Sequence, residues 1–580
     1  MTGILVQSNG SIKNVAVQRY RWDVAELAPG DHLRGFDGVP PLIVQLLWNR
    51  RIREPAAIES YLAGGDVAAS SPFTMRGMPE AIQRIVQSRA AEETVAIYGD
   101  YDVDGMTGTA ILTSCLRLLG IKTLPFLPRR DVEGYGLHVD AIARLRDAGA
   151  GLLIAIDCGI SGNSAVDFAR GLDLDVIVAD HHHVPDVLPN AVAVINPNQP
   201  DCPYPFKGLC AAGIAYKLTK ALLEAVGLSV GLAEQWLDLT TLGTIADVVP
   251  LLGENRRLVS RGLQAIGASK RPGIQALLAK AGVTQNEVSA QAIAFRVAPR
   301  LNAVGRLSDP NLGLQLLLTD SLAEAESLAT ELDEANRERQ RQTELALGSA
   351  RRRVAAQPSL PKLLFVADES YPLGVVGLVA GRLSEELSRP VLVAGITDGV
   401  VRGSARSIAR FHIAEALAAC DDLLLRHGGH ARAAGFTVAS GNVERLRGRL
   451  EHLAERQLTD HDVEPSLAID AELALRRWGP DLYRVLGRLE PFGFENAQPV
   501  LLSRRLRVRE ARVVGRTAPR HLRLTLTDGH TVWEAIGFGM EDRSDRLADF
   551  LDIVYRVERH EWNGQSGVQL RVIDLRPSIG

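Results

Sequence analysis

The sequence predicts an α/β protein: a mostly parallel sheet, joined by a long helix to a second α/β unit, and then a C-terminal β domain. Three observations lead to this fold class. From about residue 76, short apolar runs rich in Val and Ile alternate with helical patterns. A long stretch without proline follows, and short alternating strands fill the last part of the chain. Strands that alternate with helices favour a parallel sheet.

The first α/β region contains three apolar runs that each end in an aspartate, TVAIYGD, GLLIAID and LDVIVAD. In open parallel sheets, ligands bind at the carboxyl ends of the strands. We therefore expect a functional site at that edge.

The remaining regions follow from simpler patterns. Leucines at helical spacing without proline predict a long helix near residues 319–347, and KLLFVAD and RPVLVAG begin the second α/β unit. Asp528-Gly529 between two alternating runs predicts a hairpin in a small β-barrel or sandwich. The expected segments are an N-terminal segment 1–75, a first α/β domain 76–318, a connecting helix 319–356, a second α/β domain 357–457 and a β domain 465–580.

The composition excludes several classes of protein. The chain has 580 residues, a formal net charge of −4 and five scattered cysteines that form no CxxC pair. These features argue against a disulfide scaffold, a zinc ribbon and a protein that is basic throughout. Without a signal pattern or an apolar run long enough to span a bilayer, a cytoplasmic location is expected.

The segment DYDVDG places Asp100, Asp102 and Asp104 two residues apart. In an extended chain these carboxylates share one face, where they raise one another's pKa unless a cation lies among them. The segment also matches the start of a calcium-binding EF-hand loop, but Ile111 stands where that loop needs a glutamate. The calcium-loop interpretation therefore fails.

Further acidic and imidazole side chains follow later apolar runs. They are Asp157, then Asp180, His181 and His182 in VIVADHHHVP, and Asp247 in LGTIADVVPL. Taken singly, such an aspartate is usually a turn or cap residue, and the histidines fit a surface loop equally well. Together, carboxylates and imidazoles favour Mn²⁺ or Mg²⁺, and their number favours a pair of ions for phosphoester hydrolysis.

DYDVDG, IDCGISG, ADHHHVP and GTIADVVPL, in this order, resemble the four motifs of the DHH phosphoesterase superfamily. GGHARAAGF resembles the glycine-rich motif of the companion DHHA1 domain. LPRRDVEGYGL, FRVAPRLNAVGRL and RGSARS resemble segments of the RecJ exonucleases within that superfamily. The resemblance covers roughly residues 40 to 580, and it implies a DHH domain, a DHHA1 domain and an OB-like β domain.

The resemblance also implies roles for individual residues. The expected metal ligands are Asp100, Asp102, Asp104, Asp157, His181 and Asp247. Asp102 and Asp104 are favoured within the first motif, and Asp180 is expected to orient His181. His182 is expected to contact the scissile phosphate or assist proton transfer, so that Asp104, Asp157, His181 and His182 form the catalytic set.

The implied activity is a 5′→3′ exonuclease specific for single-stranded DNA, which uses two Mn²⁺ or Mg²⁺ ions, releases 5′-mononucleotides and serves recombination and repair. A single-strand-binding protein and a helicase are the expected partners. One alternative is another DHH hydrolase that acts on short oligonucleotides, cyclic dinucleotides or pyrophosphate. A second is a catalytically silent DNA-binding scaffold. The added β domain argues against the first alternative, and the intact motifs argue against the second.

Further residues are expected to hold the DNA. By resemblance, Arg130, Ser404 and Arg406 bind the 5′-phosphate, while Arg300 and Arg306 line the path of the strand. His430 either approaches a phosphate or base or belongs to a tight turn. The alternative for any single arginine is an exposed surface charge.

A run of arginines in the β domain predicts a positive face for the DNA backbone. Its members are Arg504, Arg505, Arg507, Arg509, Arg512, Arg516, Arg520 and Arg523, with Glu510 as the single acid among them. The alternative is an exposed strand face, with arginine favoured by genomic composition.

Overall fold

A computed structural model of the protein describes residues 20–64, 70–130, 132–515, 519–562 and 565–578. Its strands are β1 Arg21–Val24, β2 Thr94–Tyr98, β3 Lys122–Phe126, β4 Ala150–Ile156, β5 Asp175–Ala179, β6 Ala193–Ile195, β7 Leu364–Asp368, β8 Val391–Thr397, β9 Val400–Arg406, β10 Leu424–Gly429, β11 Ala433–Ala439, β12 Ser466–Ile469, β13 Ala471–Glu472, β14 Leu501–Val514, β15 His521–Thr527, β16 Val532–Gly537, β17 Phe550–Trp562 and β18 Gln565–Pro577.

The α-helices are α1 Gly30–Arg34, α2 Pro41–Asn49, α3 Pro55–Leu62, α4 Met78–Ala90, α5 Val103–Leu118, α6 Val139–Asp147, α7 Asn163–Gly171, α8 Ala211–Ala225, α9 Leu237–Ala246, α10 Gly253–Gly267, α11 Pro272–Ala281, α12 Ala290–Ala292, α13 Ala298–Leu307, α14 Asn311–Leu318, α15 Leu322–Ala355, α16 Val376–Leu387, α17 Ile413–Ala418, α18 Val443–Gln457 and α19 Pro480–Gly487.

The chain divides into two compact units. The parallel-sheet unit comprises Glu59–Gln340 and Arg488–Ala497, and the barrel unit comprises Met1–Ile58, Arg341–Gly487 and Gln498–Gly580. The predicted long helix is confirmed as α15, which has 34 residues and runs from the first unit into the second. The five predicted segment boundaries stay predictions.

The parallel-sheet unit contains the sheet that the three apolar runs predict. Its strand order is β3-β2-β4-β5-β6, and all neighbouring strands are parallel. Because side chains alternate along a strand, each strand contributes to a core on both faces. On one face, Ile97 and Ile154 pack with helices α5 and α8. On the other, residues such as Leu153 pack with α6 and α7.

The barrel unit contains a mixed sheet and a closed barrel. The mixed sheet has the order β10-β11-β9-β8-β7, in which β7 and β8 are parallel. The barrel runs β14-β15-β16-β18-β17, and a pairing between β14 and β17 closes it. The predicted hairpin is confirmed, since Thr527 pairs with Val532 on either side of the Asp528-Gly529 turn. Among the described residues, no helix combines the length and apolarity needed to cross a membrane.

Candidate metal centre

Acidic residues follow three neighbouring parallel strands at one edge of the sheet. Asp157 directly follows β4 and Asp180 directly follows β5, while Asp100 lies just beyond β2. Asp247 is different, because it ends helix α9 rather than a strand. The apolar run before Asp247 is thus a helix and not a strand, and the packing of α9 brings Asp247 to the same edge.

Seven side chains converge at this edge and form three groups. Within each group, the possible ligand atoms lie within 4.8 Å of one another. The groups are Asp157 with His181 and His182, Asp104 with His181 and Asp247, and Asp100 with Asp102 and Asp157. All six residues expected to bind metal are thus brought together. His181 and Asp157 each belong to two groups, so each lies between two sets of candidate ligand atoms.

His181 lies at the centre of the carboxylates. Its Nε2 atom is 3.1 Å from Asp157 Oδ1, 3.6 Å from Asp247 Oδ2 and 3.8 Å from Asp104 Oδ2. Burial lowers the pKa of His181, against the opposing attraction of Asp104. A neutral imidazole at this position keeps a lone pair for a cation.

The first motif does not form the extended segment that the spacing suggested. Helix α5 begins at Val103, and Asp102 caps it, with its Oδ1 accepting hydrogen bonds from the backbone amides of Asp104 (2.9 Å) and Gly105 (3.2 Å). The prediction that the aspartates share a face by strand alternation is therefore wrong. The three aspartates are brought together because the chain turns into helix α5, and not because they alternate along a strand.

Asp104 occupies the first turn of α5 and is fully buried. Its Oδ2 accepts a hydrogen bond from Ala211 N at 2.6 Å, and its Oδ1 accepts one from Ala212 N at 2.9 Å. These amides open helix α8, whose N-terminus favours negative charge. The helix thus anchors a carboxylate that faces the metal centre.

Two buried carboxylate oxygens test whether the centre fits a cation. Among the described residues, Oδ1 of Asp100 accepts no hydrogen bond, and Oδ1 of Asp157 accepts none although His181 Nε2 lies 3.1 Å away. A buried anionic oxygen without a partner is costly. Because these oxygens lie among other carboxylates and an imidazole, the donor set fits Mn²⁺ or Mg²⁺.

The raised pKa values of the carboxyl groups support this interpretation. Burial, followed by repulsion from Asp104, raises the pKa of Asp157 well above its usual range. Burial, followed by repulsion from Asp102, does the same for Asp100. Burial and repulsion from Asp104 raise the pKa of Asp247 to about 9. Without a cation, Asp100, Asp157 and Asp247 therefore hold their protons to higher pH than usual.

Asp180 contacts a different histidine from the one expected. Its Oδ1 lies 2.7 Å from His182 Nδ1, whereas it meets His181 only through the backbone amide at 2.8 Å. The prediction that Asp180 orients the His181 ring is therefore wrong. Although burial opposes it, the hydrogen bond from His182 lowers the pKa of Asp180, and the same bond raises the pKa of His182.

Tyr135 is a neighbour that the motif analysis missed. Its hydroxyl lies 3.5 Å from both ring nitrogens of His182. Gly134 and Gly136 flank it with φ values of 87° and 95°, which favour glycine. In the sequence, an aromatic residue between two glycines was the pattern that could have indicated a functional loop here.

The arginines expected to hold DNA differ in their surroundings. Arg130 is exposed, with its guanidinium 5.8 Å from the ring centre of Tyr101. Arg300 is engaged internally, since it binds Asp333 at 2.9 Å and donates to the carbonyls of Arg296 and Lys280. This engagement favours a structural role for Arg300 over contact with DNA. Arg306 is half-buried on α13.

In the barrel unit, Ser404 and Arg406 converge on one glycine. A Cβ atom added at Gly377 would lie 3.3 Å from Ser404 Oγ and 3.2 Å from an Arg406 nitrogen. Gly377 stands in the first turn of α16, whose N-terminus suits an anion. His430 is an exposed residue in the turn between β10 and β11, and its amide donates to Ala433 O at 2.8 Å. That bond supports the tight-turn alternative.

The arginine run is less positive than its sequence suggests. Folding brings acidic partners from other segments: Glu472 and Asp552 contact Arg504, Glu541 contacts Arg520, and Glu534 contacts Arg523. These carboxylates from outside the run reduce the positive charge expected of this face. Within the described part of the chain, the exposed guanidinium groups of Arg505, Arg507 and Arg509 have no carboxylate partner, and Arg516 lies outside it.

Comparison with known proteins places the chain in a family. Residues 94–244 match the DHH family N-terminal domain, residues 361–456 the DHHA1 domain and residues 469–574 the RecJ OB domain. The single-stranded-DNA-specific exonuclease RecJ of Bacillus subtilis is 34% identical over 544 residues, covering 93% of this chain and 68% of that protein.

Solved structures agree with this assignment. RecJ from Thermus thermophilus in complex with Mn²⁺ has a TM-score of 0.83 at 32% identity, covering 97% of this chain and 80% of that chain. Its complex with Mg²⁺ has a TM-score of 0.76 at 31% identity, covering 97% of this chain and 79% of that chain. The three domain matches, the near full-length similarity and the shared fold show that this chain belongs to the RecJ family.

Proposed function

We propose that this protein is a metal-dependent exonuclease that hydrolyses single-stranded DNA from the 5′ end, releases 5′-mononucleotides and acts in recombination and repair. The observation that carries the proposal is the convergence of five aspartates and two histidines on one edge of the parallel sheet. The relatives named as single-stranded-DNA-specific exonucleases support the substrate.

The residues that would hold two divalent cations are Asp100, Asp102, Asp104, Asp157, His181 and Asp247. When bound, such a pair supplies Lewis acidity that activates water and stabilises charge on phosphate oxygens. The remaining catalytic work is assigned to the chain itself. Asp104 and Asp157, both buried, hold fixed carboxylate positions at the base of the cluster.

His182 is assigned to the scissile phosphate. Its Nδ1 is held by Asp180, which fixes the ring, and its raised pKa favours the cation that pairs with an anionic oxygen. A protonated His182 also has a proton to give to the departing oxygen. Asp180 thus acts through His182 and not directly on the substrate.

A 5′-phosphate site is assigned to Ser404, Arg406 and the N-terminus of α16. The hydroxyl and guanidinium converge on Gly377, where the missing side chain leaves room for a phosphate oxygen. Arg406→Ala should reduce the preference for a 5′-phosphorylated end over a 5′-hydroxyl end. The matched control is Arg445→Ala, an exposed arginine on α18. An unchanged preference in Arg406→Ala would remove this residue from the pocket.

The closed barrel is assigned to the backbone of the single strand. Arg505, Arg507 and Arg509 supply charge there, so binding should weaken steeply as salt rises. The expected location is the cytoplasm, which the five unpaired cysteines support. A helicase or single-strand-binding protein that supplies the strand stays a prediction.

One assay separates this proposal from its alternatives. Purified protein with Mn²⁺ is given labelled single strands with either end blocked, blunt duplex and di- to tetranucleotides. Mononucleotides released from free 5′ ends of single strands, with little release from duplex, are the expected result. Cleavage of only the short oligonucleotides would favour a different DHH hydrolase, and binding without cleavage in any divalent metal would favour a silent scaffold.

A further inference from the structure

Two asparagines lie directly behind the histidines of the metal centre. Nδ2 of Asn196 donates to the backbone carbonyl of His182 at 2.9 Å. Nδ2 of Asn198 donates to the backbone carbonyl of His181, also at 2.9 Å. Both asparagines follow β6, the strand next to β5, and neither belongs to the four motifs.

The segment that carries these asparagines is itself held firmly. Asn196 is fully buried, and its Oδ1 accepts a hydrogen bond from Asn198 N at 2.8 Å, which closes a tight turn. Lys207 Nζ donates to the carbonyl of Pro197 at 2.7 Å. The two donors therefore point at the histidines from a rigid support.

The opposite side of the same peptide units is held by Asp180. Its Oδ1 accepts hydrogen bonds from the backbone amides of His181 at 2.8 Å and His182 at 3.1 Å. All four polar backbone groups of the two histidines are thus bonded, the amides to a carboxylate and the carbonyls to the asparagines. These bonds fix the backbone position from which each imidazole extends.

We propose that Asn196 and Asn198 are positioning residues for the metal centre and set its affinity for divalent cations through the histidine backbone. This role rests on the proposed function of that centre. A neutral amide suits it, since it donates a hydrogen bond to a carbonyl without adding charge beside five carboxylates. Loss of a partner that hydrogen-bonds a metal ligand directly typically changes metal affinity ten- to a hundredfold, which sets the scale for these backbone contacts.

The test measures Mn²⁺ binding directly, by electron paramagnetic resonance of the free ion during titration. Asn198→Ala removes one donor at an exposed position, so the variant should fold like the wild type. Asn198→Asp keeps the shape and adds a negative charge that by itself attracts cations. Both variants should bind Mn²⁺ about tenfold or more weakly, and their cleavage rate should recover as Mn²⁺ is raised.

Asn196→Asp provides a second, buried variant that keeps the bond to Asn198 N but loses the donor to His182. The matched control is Asn163→Ala. Asn163 also donates to a backbone carbonyl, but to that of Val187 and not to that of a histidine in the metal centre. Wild-type Mn²⁺ affinity in both Asn198 variants would overturn the positioning role, whether or not Asn196→Asp folds. That result leaves the proposed function standing if the wild type binds Mn²⁺ and cleaves DNA, whereas a wild type that does neither overturns the proposed function instead.

Discussion

Asp157 combines an uncommon backbone with an uncommon environment. Its φ is 64°, in the left-handed region, and its Oδ1 is buried without a hydrogen-bond partner among the described residues. Aspartate and asparagine tolerate this conformation better than most residues. The local backbone aims the carboxylate into the cluster, where it reaches both His181 and the first-motif aspartates.

Asp157→Asn should therefore abolish cleavage while leaving DNA binding nearly intact. The amide keeps the shape and the left-handed backbone but removes the charge that two groups of ligands share. Turnover with Mn²⁺ and binding of a single strand without metal are the two measurements. Cleavage at the wild-type rate would contradict the role given to Asp157.

The carboxylate of Asp528 stabilises the barrel hairpin through hydrogen bonds from backbone amides. Burial opposes ionisation, but backbone amides of Thr531, His530 and Arg476 donate to the carboxylate and lower its pKa to about 2. Because the folded-state pKa lies below the usual 3.8, the carboxylate stabilises the fold above that pH and loses this effect as pH falls toward about 2.

Asp528→Ala should lower the free energy of unfolding of the barrel unit by about 1–3 kcal/mol at neutral pH. The difference from wild type should shrink in acid, as followed by urea denaturation at several pH values. Asp481→Ala, at an exposed position, is the control. A difference that stays constant into acid would contradict the charge-based explanation.

At the scale of elements, helix termini and helix faces hold the candidate metal ligands in place. The N-terminus of α8 binds Asp104, and α13 packs against the segment that carries Asp100 and Asp102. On α13, Asn302 accepts a hydrogen bond from Val103 N at 3.3 Å. The segment FRVAPRLNAVGRL, which was expected to supply arginines to the DNA path, thus packs against and supports the first motif.

Gly305→Ala tests this packing. A Cβ atom at Gly305 would lie 2.3 Å from the carbonyl oxygen of Tyr101, so the first-motif loop has to move. We expect cleavage to fall at least about tenfold, with overpacking costing about 1–3 kcal/mol of stability. Gly448→Ala on α18 has no atom within 4 Å of the added carbon and serves as the control. Equal activity in the two variants would show that α13 does not position the loop.

At the scale of the whole molecule, the metal centre is a concentration of negative charge that folding alone leaves uncompensated. Raised carboxyl pKa values such as that of Asp247, about 9, mean that the folded state binds protons more tightly than the unfolded state. The corresponding stability is fully present below the unfolded pKa near 3.8 and is lost as pH rises toward about 9.

Divalent cations should reverse this loss. In metal-free buffer the melting temperature should fall as pH rises from about 6 to about 9, and Mn²⁺ at a hundred times its Kd should add about 2.7 kcal/mol. The measurement is a thermal melt with and without Mn²⁺, with potassium chloride of equal ionic strength as the control. An Mn²⁺ shift of the same size in Asp157→Asn would contradict binding at this centre.

The sequence by itself determined the features that local patterns encode. Short runs of β-branched residues predict buried parallel strands, whose carboxyl ends place Asp100, Asp157 and Asp180 at one edge. The Asp528-Gly529 pair predicts its hairpin, and proline-free helical spacing predicts α15. The resemblance to the family motifs predicts the remaining candidate ligands, including Asp247.

Only the tertiary structure decided how those residues are held. Asp104 meets Ala211, 107 positions away, through a helix terminus that no local pattern reveals. The Asp180 side chain binds the His182 ring and not the His181 ring. Glu472, Glu534 and Glu541, which lie outside the arginine run, pair with three of its arginines. The physical reason is that spacing encodes periodicity along one element, whereas partners are chosen by the packing of elements far apart in the chain.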